Sequence, residues 1–173
     1  MARITVVCTG NINRSPFAGA LLARALPDHE IASAGLIRSG MRTPDRMVRA
    51  AADYDIDLST HVSSQLEAAD IESSDLVLSM DRTHPVQIAA VSEAATANCF
   101  TVEEAIVRLG AAAELSDSLE NQVSIAAQRP VSEFLAPRFP DIADPMGRSR
   151  RFHSKVTAHL VEAVERLAFA LVP

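Results

Sequence analysis

The chain has 173 residues, with 16 lysines and arginines against 22 aspartates and glutamates for a formal net charge of −6. With 48% hydrophobic and 22% charged residues it is too apolar and too weakly charged to stay disordered, and its length suits one domain with a sizeable core. The acidic balance gives no general basic footprint for nucleic acid. No apolar run approaches the ~20 residues of a membrane span, and Ile4-Thr5-Val6-Val7 is too short for a secretory h-region before Asn11 and Arg14 interrupt it. The expectation is a cytoplasmic protein with neither nucleic acid nor membrane among its partners. Two cysteines, Cys8 and Cys99, are too few for a disulfide framework, so each is a packed hydrophobe or a chemical group.

Arg3 to Cys8 is a β-branched run ending at Thr9-Gly10-Asn11, the pattern of a buried strand entering a loop. Ser15-Pro16 offers an N-cap hydroxyl followed by proline at the first helical position, and Phe17, Leu21 and Ala25 recur on one face until Pro27. Further strands are predicted at 30–34, 75–80 and 98–101, and further helices at 44–53, 85–92, 102–109 and 151–171. Strands alternating with helices predict an α/β fold, a parallel sheet covered on both faces. Residues 111–127 have helical composition, while Pro130, Pro137 and Pro140 predict a long, stiffened loop leading to Asp141-Ile142-Ala143-Asp144-Pro145. A single domain over 1–173 is expected, with a long loop or extra helix at about 110–140.

The segment richest in chemistry is Cys8-Thr9-Gly10-Asn11-Ile12-Asn13-Arg14-Ser15, a cysteine and an arginine separated by five residues, between a strand and a helix. A short loop at a helix N-terminus aims several backbone N–H groups and the positive end of the peptide dipoles at one spot, which suits a phosphate dianion. Arg14 adds a planar fork of donors for two phosphate oxygens. The same field favours the thiolate of a cysteine at the start of the loop, making Cys8 a nucleophile aimed at phosphorus. Ser15 can cap the helix and donate its hydroxyl to that thiolate, and Gly10 and Asn11 tolerate left-handed backbone.

These residues resemble the low-molecular-weight protein tyrosine phosphatase family, whose phosphate loop reads Cys-x-Gly-Asn-x-Cys-Arg-Ser-Pro near the N-terminus. The resemblance runs over nearly the whole chain. Ser33-Ala34-Gly35 looks like the family's Ser-Ala-Gly, and Asp55-Ile56-Asp57-Leu58-Ser59-Thr60-His61 resembles its Gly-Ile-Asp-Leu-Ser-x-His. Gln65-Leu66, Asp75-Leu76-Val77-Leu78 and Met80-Asp81 fall in register, and Asp144-Pro145 matches the Asp-Pro that carries the general acid. The resemblance implies a doubly wound, flavodoxin-like sheet of four parallel strands with helices on both faces and the phosphate loop after the first strand. It also implies cysteine-dependent hydrolysis of a phosphomonoester, through a cysteinyl-phosphate, on a phosphorylated protein or small aryl phosphate. Carried over residue by residue, Cys8 is the nucleophile, Arg14 the phosphate clamp and Asp144 the acid and then the base. Thr9, Gly10, Asn11, Ile12, Asn13 and Ser15 complete the phosphate loop, and Asn11, Ser33 and His61 hold its shape. No metal or organic cofactor is implied. Asp141 is a rival acid, ranked below Asp144 because Pro145 stiffens the latter's backbone and the motif lands there. His29, His84, His153 and His159 have no metal-ligand spacing and read as surface residues.

The chain departs from the family pattern at several points. Asn13 replaces the second loop cysteine, whose thiol can protect the nucleophile through a reversible disulfide; Cys99 reads as a core hydrophobe. The segments Gly35 to Arg42 and Met146-Gly147 lack the aromatics common in phosphotyrosine-selective members, and Tyr54 is the only tyrosine. Ala32 and Ser64 stand where an acidic residue and an arginine are usual. Two other readings stay open: a phosphate- or phosphoprotein-binding relative without turnover, and, ranked lower, an arsenate reductase, which needs further redox cysteines. Phosphoarginine phosphatases of this family carry threonine at the position of Ile12.

Overall fold

Strand β1 (Arg3–Cys8) is buried on both sides after its first residue, as its unbroken β-branched run requires. In the computed structural model, which describes residues 1–171, it pairs in parallel with β2 (Glu30–Gly35) and with β3 (Leu76–Ser79), and β3 pairs with β4 (Cys99–Thr101). The last two residues of the expected 1–173 domain lie outside the described residues. The sheet order β2-β1-β3-β4 is that of a doubly wound, flavodoxin-like fold. From β1 the chain goes first to β2 on one side and later to β3 on the other, so the crevice beyond the carboxyl ends of β1 and β3 is where such sheets take ligands.

The period of two along each strand sorts the core into two layers. Ile4, Val6, Cys8, Leu76, Leu78 and Phe100 face one layer, completed by α1 (Arg14–Ala25), α2 (Asp45–Ala52), α6 (Val102–Ala113), α7 (Leu119–Ala126) and α9 (Arg150–Leu171). Val7, Val77 and Cys99 face the other, covered by α3 (Ala68–Glu72), α4 (His84–Ala89), α5 (Ala95–Asn98) and α8 (Val131–Leu135). Helix α9 buries Val156, Leu160, Ala163, Val164, Leu167 and Leu171, a helical stripe. Cys99 is fully buried, as a core hydrophobe should be.

Three sequence expectations need correction. Helix α1 begins at Arg14, and its cap residue is Asn13, with no side-chain cap; Ser15 lies in the first turn because its hydroxyl is engaged elsewhere, as described below. His153 is not a surface residue: the apolar stripe of α9 buries it, and its Nδ1 lies 3.0 Å from the Ser149 carbonyl. Helix α7 falls within the 111–127 stretch of helical composition, but the proline-rich segment after it, expected as an irregular loop, holds a further short helix, α8.

Those two helices are fastened to β4 by Arg129. Its guanidinium stacks 4.2 Å from the Phe100 ring and 5.2 Å from the Phe134 ring. It pairs with Glu104 Oε1 at 3.0 Å and donates to the Cys99 carbonyl at 2.6 Å. Arg108 bridges Glu104 and Glu133. A buried charge removed from such a set leaves its partner uncompensated. Arg129→Ala is therefore expected to lower the unfolding free energy by about 3–5 kcal/mol, read from urea denaturation. A change within experimental error would show that the stack and pair contribute nothing net.

Candidate active site

Loop 9–13 is held by one residue. Asn11 adopts φ 49°, a left-handed conformation that asparagine tolerates better than most residues, and it is completely buried. Its Nδ2 donates to Ser15 Oγ and to Ser33 Oγ, both at 2.9 Å, and its Oδ1 accepts from the Ser64 backbone N–H at 2.9 Å. Its carbonyl accepts from His61 Nε2 at 2.8 Å, and its own N–H donates to Cys8 Sγ at 3.2 Å. The loop thus closes on β2 from one side and on the 61–64 segment from the other. Gly35 makes this closure possible, since a Cβ there would stand 2.9 Å from the Asn11 nitrogen. Of the two loop residues that tolerate a left-handed backbone, Gly10 and Asn11, only Asn11 adopts it.

Cys8 Sγ also lies 3.1 Å from Ser15 Oγ. Its second contact with a donor explains why Ser15 does not cap the helix: from the first turn of α1 the hydroxyl points back at the sulfur. A thiolate accepts only, so with Cys8 ionised Ser15 is the donor.

Arg14, only 3% exposed, is clamped from several directions. Its Nη1 donates to the Ile142 carbonyl at 3.0 Å and lies 3.4 Å from Asp81 Oδ2, while Nη2 reaches Asp144 Oδ2 at 3.1 Å and Thr9 Oγ1 at 3.4 Å. The Ile142 N–H in turn donates to the Met80 carbonyl at 2.8 Å, tying the 141–145 loop to the end of β3. Asp144 Oδ1 accepts the Met146 N–H at 2.9 Å, a turn that points the other oxygen at the arginine. Asp141 instead pairs with Arg82 at 3.1 Å and accepts its backbone N–H. Asp144, not Asp141, lines the cleft that holds Cys8.

His84, expected at the surface, is 1% exposed and forms the far wall of this arrangement. Its Nδ1 accepts the Met80 N–H at 3.3 Å, which fixes the tautomer with hydrogen on Nε2. Nε2 faces Asp81 Oδ2 at 3.0 Å and Thr9 Oγ1 at 3.1 Å. Burial lowers the imidazole to a pKa of about 4, with the Arg14 charge acting the same way and the nearby carboxylates opposing it. Burial pushes Asp81 upward, but hydrogen bonds from Thr83 and the charges of His84 and Arg14 outweigh it and hold the carboxyl below its ordinary range. Asp81-x-x-His84 at the end of a strand was the available signal for this pair. Ser64, whose backbone meets Asn11, gave none.

Cys8, Gly10, Ile12, Asn13, Arg14, Ile37, Arg38, Met41, Asp144 and Met146, with Thr9, line a cleft of about 330 Å³. A larger depression of about 900 Å³ between α6 and α9 contains no cysteine and no histidine. Among the described residues no three His, Cys, Asp or Glu side chains gather as a metal-ligand set. The structure therefore brings Cys8, Arg14, Ser15 and Asp144 together, with Asn11, Ser33 and His61 behind the loop.

This geometry can be set beside known proteins. The profile of the low molecular weight phosphotyrosine protein phosphatases matches residues 3–135. The chain belongs to that family. It is 38% identical over 102 residues to the "Probable low molecular weight protein-tyrosine-phosphatase EpsP" of Ralstonia nicotianae, covering 58% of this chain and 70% of that protein. It is 36% identical over 91 residues to the low molecular weight protein-tyrosine-phosphatase Etp of Escherichia coli, covering 51% and 61%. The tyrosine phosphatase AmsI of Erwinia amylovora superposes with a TM-score of 0.75 at 27% identity, over 100% of this chain and 95% of that one. The YwlE arginine phosphatase of Geobacillus stearothermophilus gives 0.74 at 28% identity, over 99% and 93%. In this family member Asp55, at the position of a family glycine, takes φ 60°.

The buried imidazole has a consequence for stability. Its ordinary pKa is 6.5 and its folded value about 4, so between these pH values the unfolded chain binds the extra proton and stability rises with pH. The contribution is complete above about 6.5 and is lost as pH falls toward about 4, up to about 3 kcal/mol in all. Urea unfolding of wild type and His84→Asn should show the wild-type curve steeper across this window. Parallel curves would contradict the assignment.

Proposed function

We infer that this low molecular weight phosphatase hydrolyses phosphate monoesters at Cys8, on phosphotyrosine-type side chains of proteins. The observation that carries the reading is the sulfur of Cys8 between two hydrogen-bond partners, Ser15 Oγ at 3.1 Å and Asn11 N–H at 3.2 Å, in one cleft with Arg14 and Asp144. Cys8 attacks phosphorus in line, forming the S–P bond as the P–O bond to the leaving group breaks. Asp144 gives its proton to the departing oxygen. Water then attacks phosphorus, Asp144 takes its proton, and the S–P bond breaks to return the thiolate, which Ser15 stabilises. Loop amides and Arg14 hold the equatorial oxygens in both steps, and because Ile142, Asp81 and Thr9 fix the guanidinium beforehand it needs little reorganisation. Arg14 and Asp144 start as an ion pair, so a phosphate that engages Arg14 releases Asp144, which takes up a proton from solvent beside the phosphate's negative charge and then faces the leaving oxygen as the acid.

The cleft walls favour a flat, apolar leaving group. Ile12, Ile37, Met41 and Met146 supply aliphatic and thioether surface where relatives use aromatic rings. Ile12 stands where phosphoarginine phosphatases of this family carry threonine, which sets the aryl phosphate ahead of phosphoarginine. Cys99 is no partner for an arsenate-type disulfide relay. It pairs with Val77, which opposes Thr5, so it lies two strands and three residue steps from Cys8, about 14 Å by strand geometry. Burial pushes its thiol up to about 12. The reading extends to the whole of 1–173 as one phosphatase domain working in the cytoplasm.

Hydrolysis of a small aryl phosphate between about pH 5 and 8, with chelator present, tests this. Wild type should turn over, Cys8→Ser should abolish turnover, and Asp144→Asn should lower kcat by about 10²–10⁴. A folded wild type that binds phosphate without Cys8-dependent turnover would replace the reading with the binding-module alternative. Peroxide should inactivate the enzyme with poor thiol recovery after prolonged exposure, because Asn13 offers no resolving thiol and sulfinic acid is not reduced by thiols. Complete recovery would show that Cys8 is protected by another route.

A further inference from the structure

Although the chain is acidic overall, residues 36–46 and 145–151 together carry six arginines (Arg38, Arg42, Arg46, Arg148, Arg150, Arg151) and one carboxylate, Asp45. All six are exposed, and among the described residues none makes an ion pair. Elsewhere seven of the nine arginines pair with a carboxylate. Six of the eight arginines without a carboxylate partner are therefore gathered on the two loops that flank the catalytic cleft and on the first turns of α2 and α9 that follow them. Arg38 lines that cleft. A second cleft of about 360 Å³ shares Met146 with it and is lined by Pro44, Asp45, Arg46, Gly147, Arg148 and His153. Arg46 Nη1 donates to the Arg148 carbonyl at 2.6 Å, joining the two loops, and the Arg148 guanidinium rests 5.4 Å from the Phe152 ring. The one acid in this cleft, Asp45, is 3.9 Å from Arg49 on the same helix.

Clustered like charges repel, and among the described residues no carboxylate pairs with these six. An anionic occupant would, and its position is set by the adjoining cleft: when a phosphate sits at Cys8 and Arg14, the chain bearing it must leave past Arg38 or over Met146 toward Arg46 and Arg148. We propose that this rim, on the phosphatase reading above, selects phosphorylated protein segments with Asp or Glu beside the phosphorylated side chain. Arginine forks suit carboxylates in two-pronged geometry, and exposed pairs of this kind add modest affinity each and a salt-sensitive gain in encounter rate.

The test uses two phosphotyrosine peptides identical except for Glu or Gln at the flanking positions, together with a small aryl phosphate. Wild type should show a kcat/KM for the acidic peptide about tenfold above the neutral one at low salt, with the ratio falling toward one at high salt. The double variant Arg46→Gln, Arg148→Gln should reduce the ratio several-fold, whereas Arg24→Gln, on the far end of α1, should leave it. Calorimetric affinities of both peptides for Cys8→Ser provide the same comparison without turnover. Equal values for the two peptides, or a preference that survives in the double variant, would overturn the proposal while aryl phosphate hydrolysis stood. A tighter acidic peptide with no hydrolysis of any substrate would retain the rim and sink the phosphatase reading instead.

Discussion

Asn11 is the constraint on which the active site depends. One fully buried side chain and its own backbone supply five hydrogen bonds, to Cys8, Ser15, Ser33, His61 and Ser64. A left-handed residue inside a five-residue loop costs conformational energy, and such strain persists only where the surroundings over-determine it. Here they do, from β2, from the 61–64 segment and from the first turn of α1. Gly35 admits the closure by having no side chain. The sulfur of Cys8 consequently has its donors in place before any substrate arrives, which is where preorganised sites obtain most of their advantage.

The arginine is fixed by a separate set of contacts on the opposite wall. Ile142, Asp81, Thr9 and Asp144 surround its guanidinium, and the neutral His84 stands behind Asp81 and Thr9. A charged imidazole would place a second cation beside Arg14 and would have to give up the Met80 N–H, so burial and tautomer agree. The two walls meet through the loop and the first turn of α1, where Arg14 and Ser15 are neighbours. Strand β1 supplies Cys8, β3 supplies the Met80–His84 turn, and the 141–145 loop crosses between them, which is how the switch point of the sheet becomes a phosphate site.

Much of this was legible in the sequence where a local pattern has one physical use. Strands β1, β3 and β4 are short runs buried on both faces, and the structure places all four strands within a residue or two of expectation. The Cys8-to-Ser15 segment was readable because each residue type has a distinct role around a dianion. What misled were groups with two possible uses. Ser15 before proline is a good cap, yet its hydroxyl serves the sulfur. His84 looks like any exposed histidine until Thr9 and the Met80 amide, brought to it by the fold, bury and orient it. The 110–140 stretch was obscure because its anchor, Arg129 between Phe100 and Phe134, joins residues that local periodicity cannot connect.

The mechanism turns on a covalent bond between Cys8 and phosphorus, and that bond can be observed. Rapid acid quench of the enzyme during turnover of an aryl phosphate, followed by peptide mass spectrometry, should find phosphate on the peptide containing Cys8. The adduct should appear as fast as the first equivalent of phenol is released. Phosphate on another residue, or a burst of phenol with no modified enzyme at any quench time, would contradict the central claim.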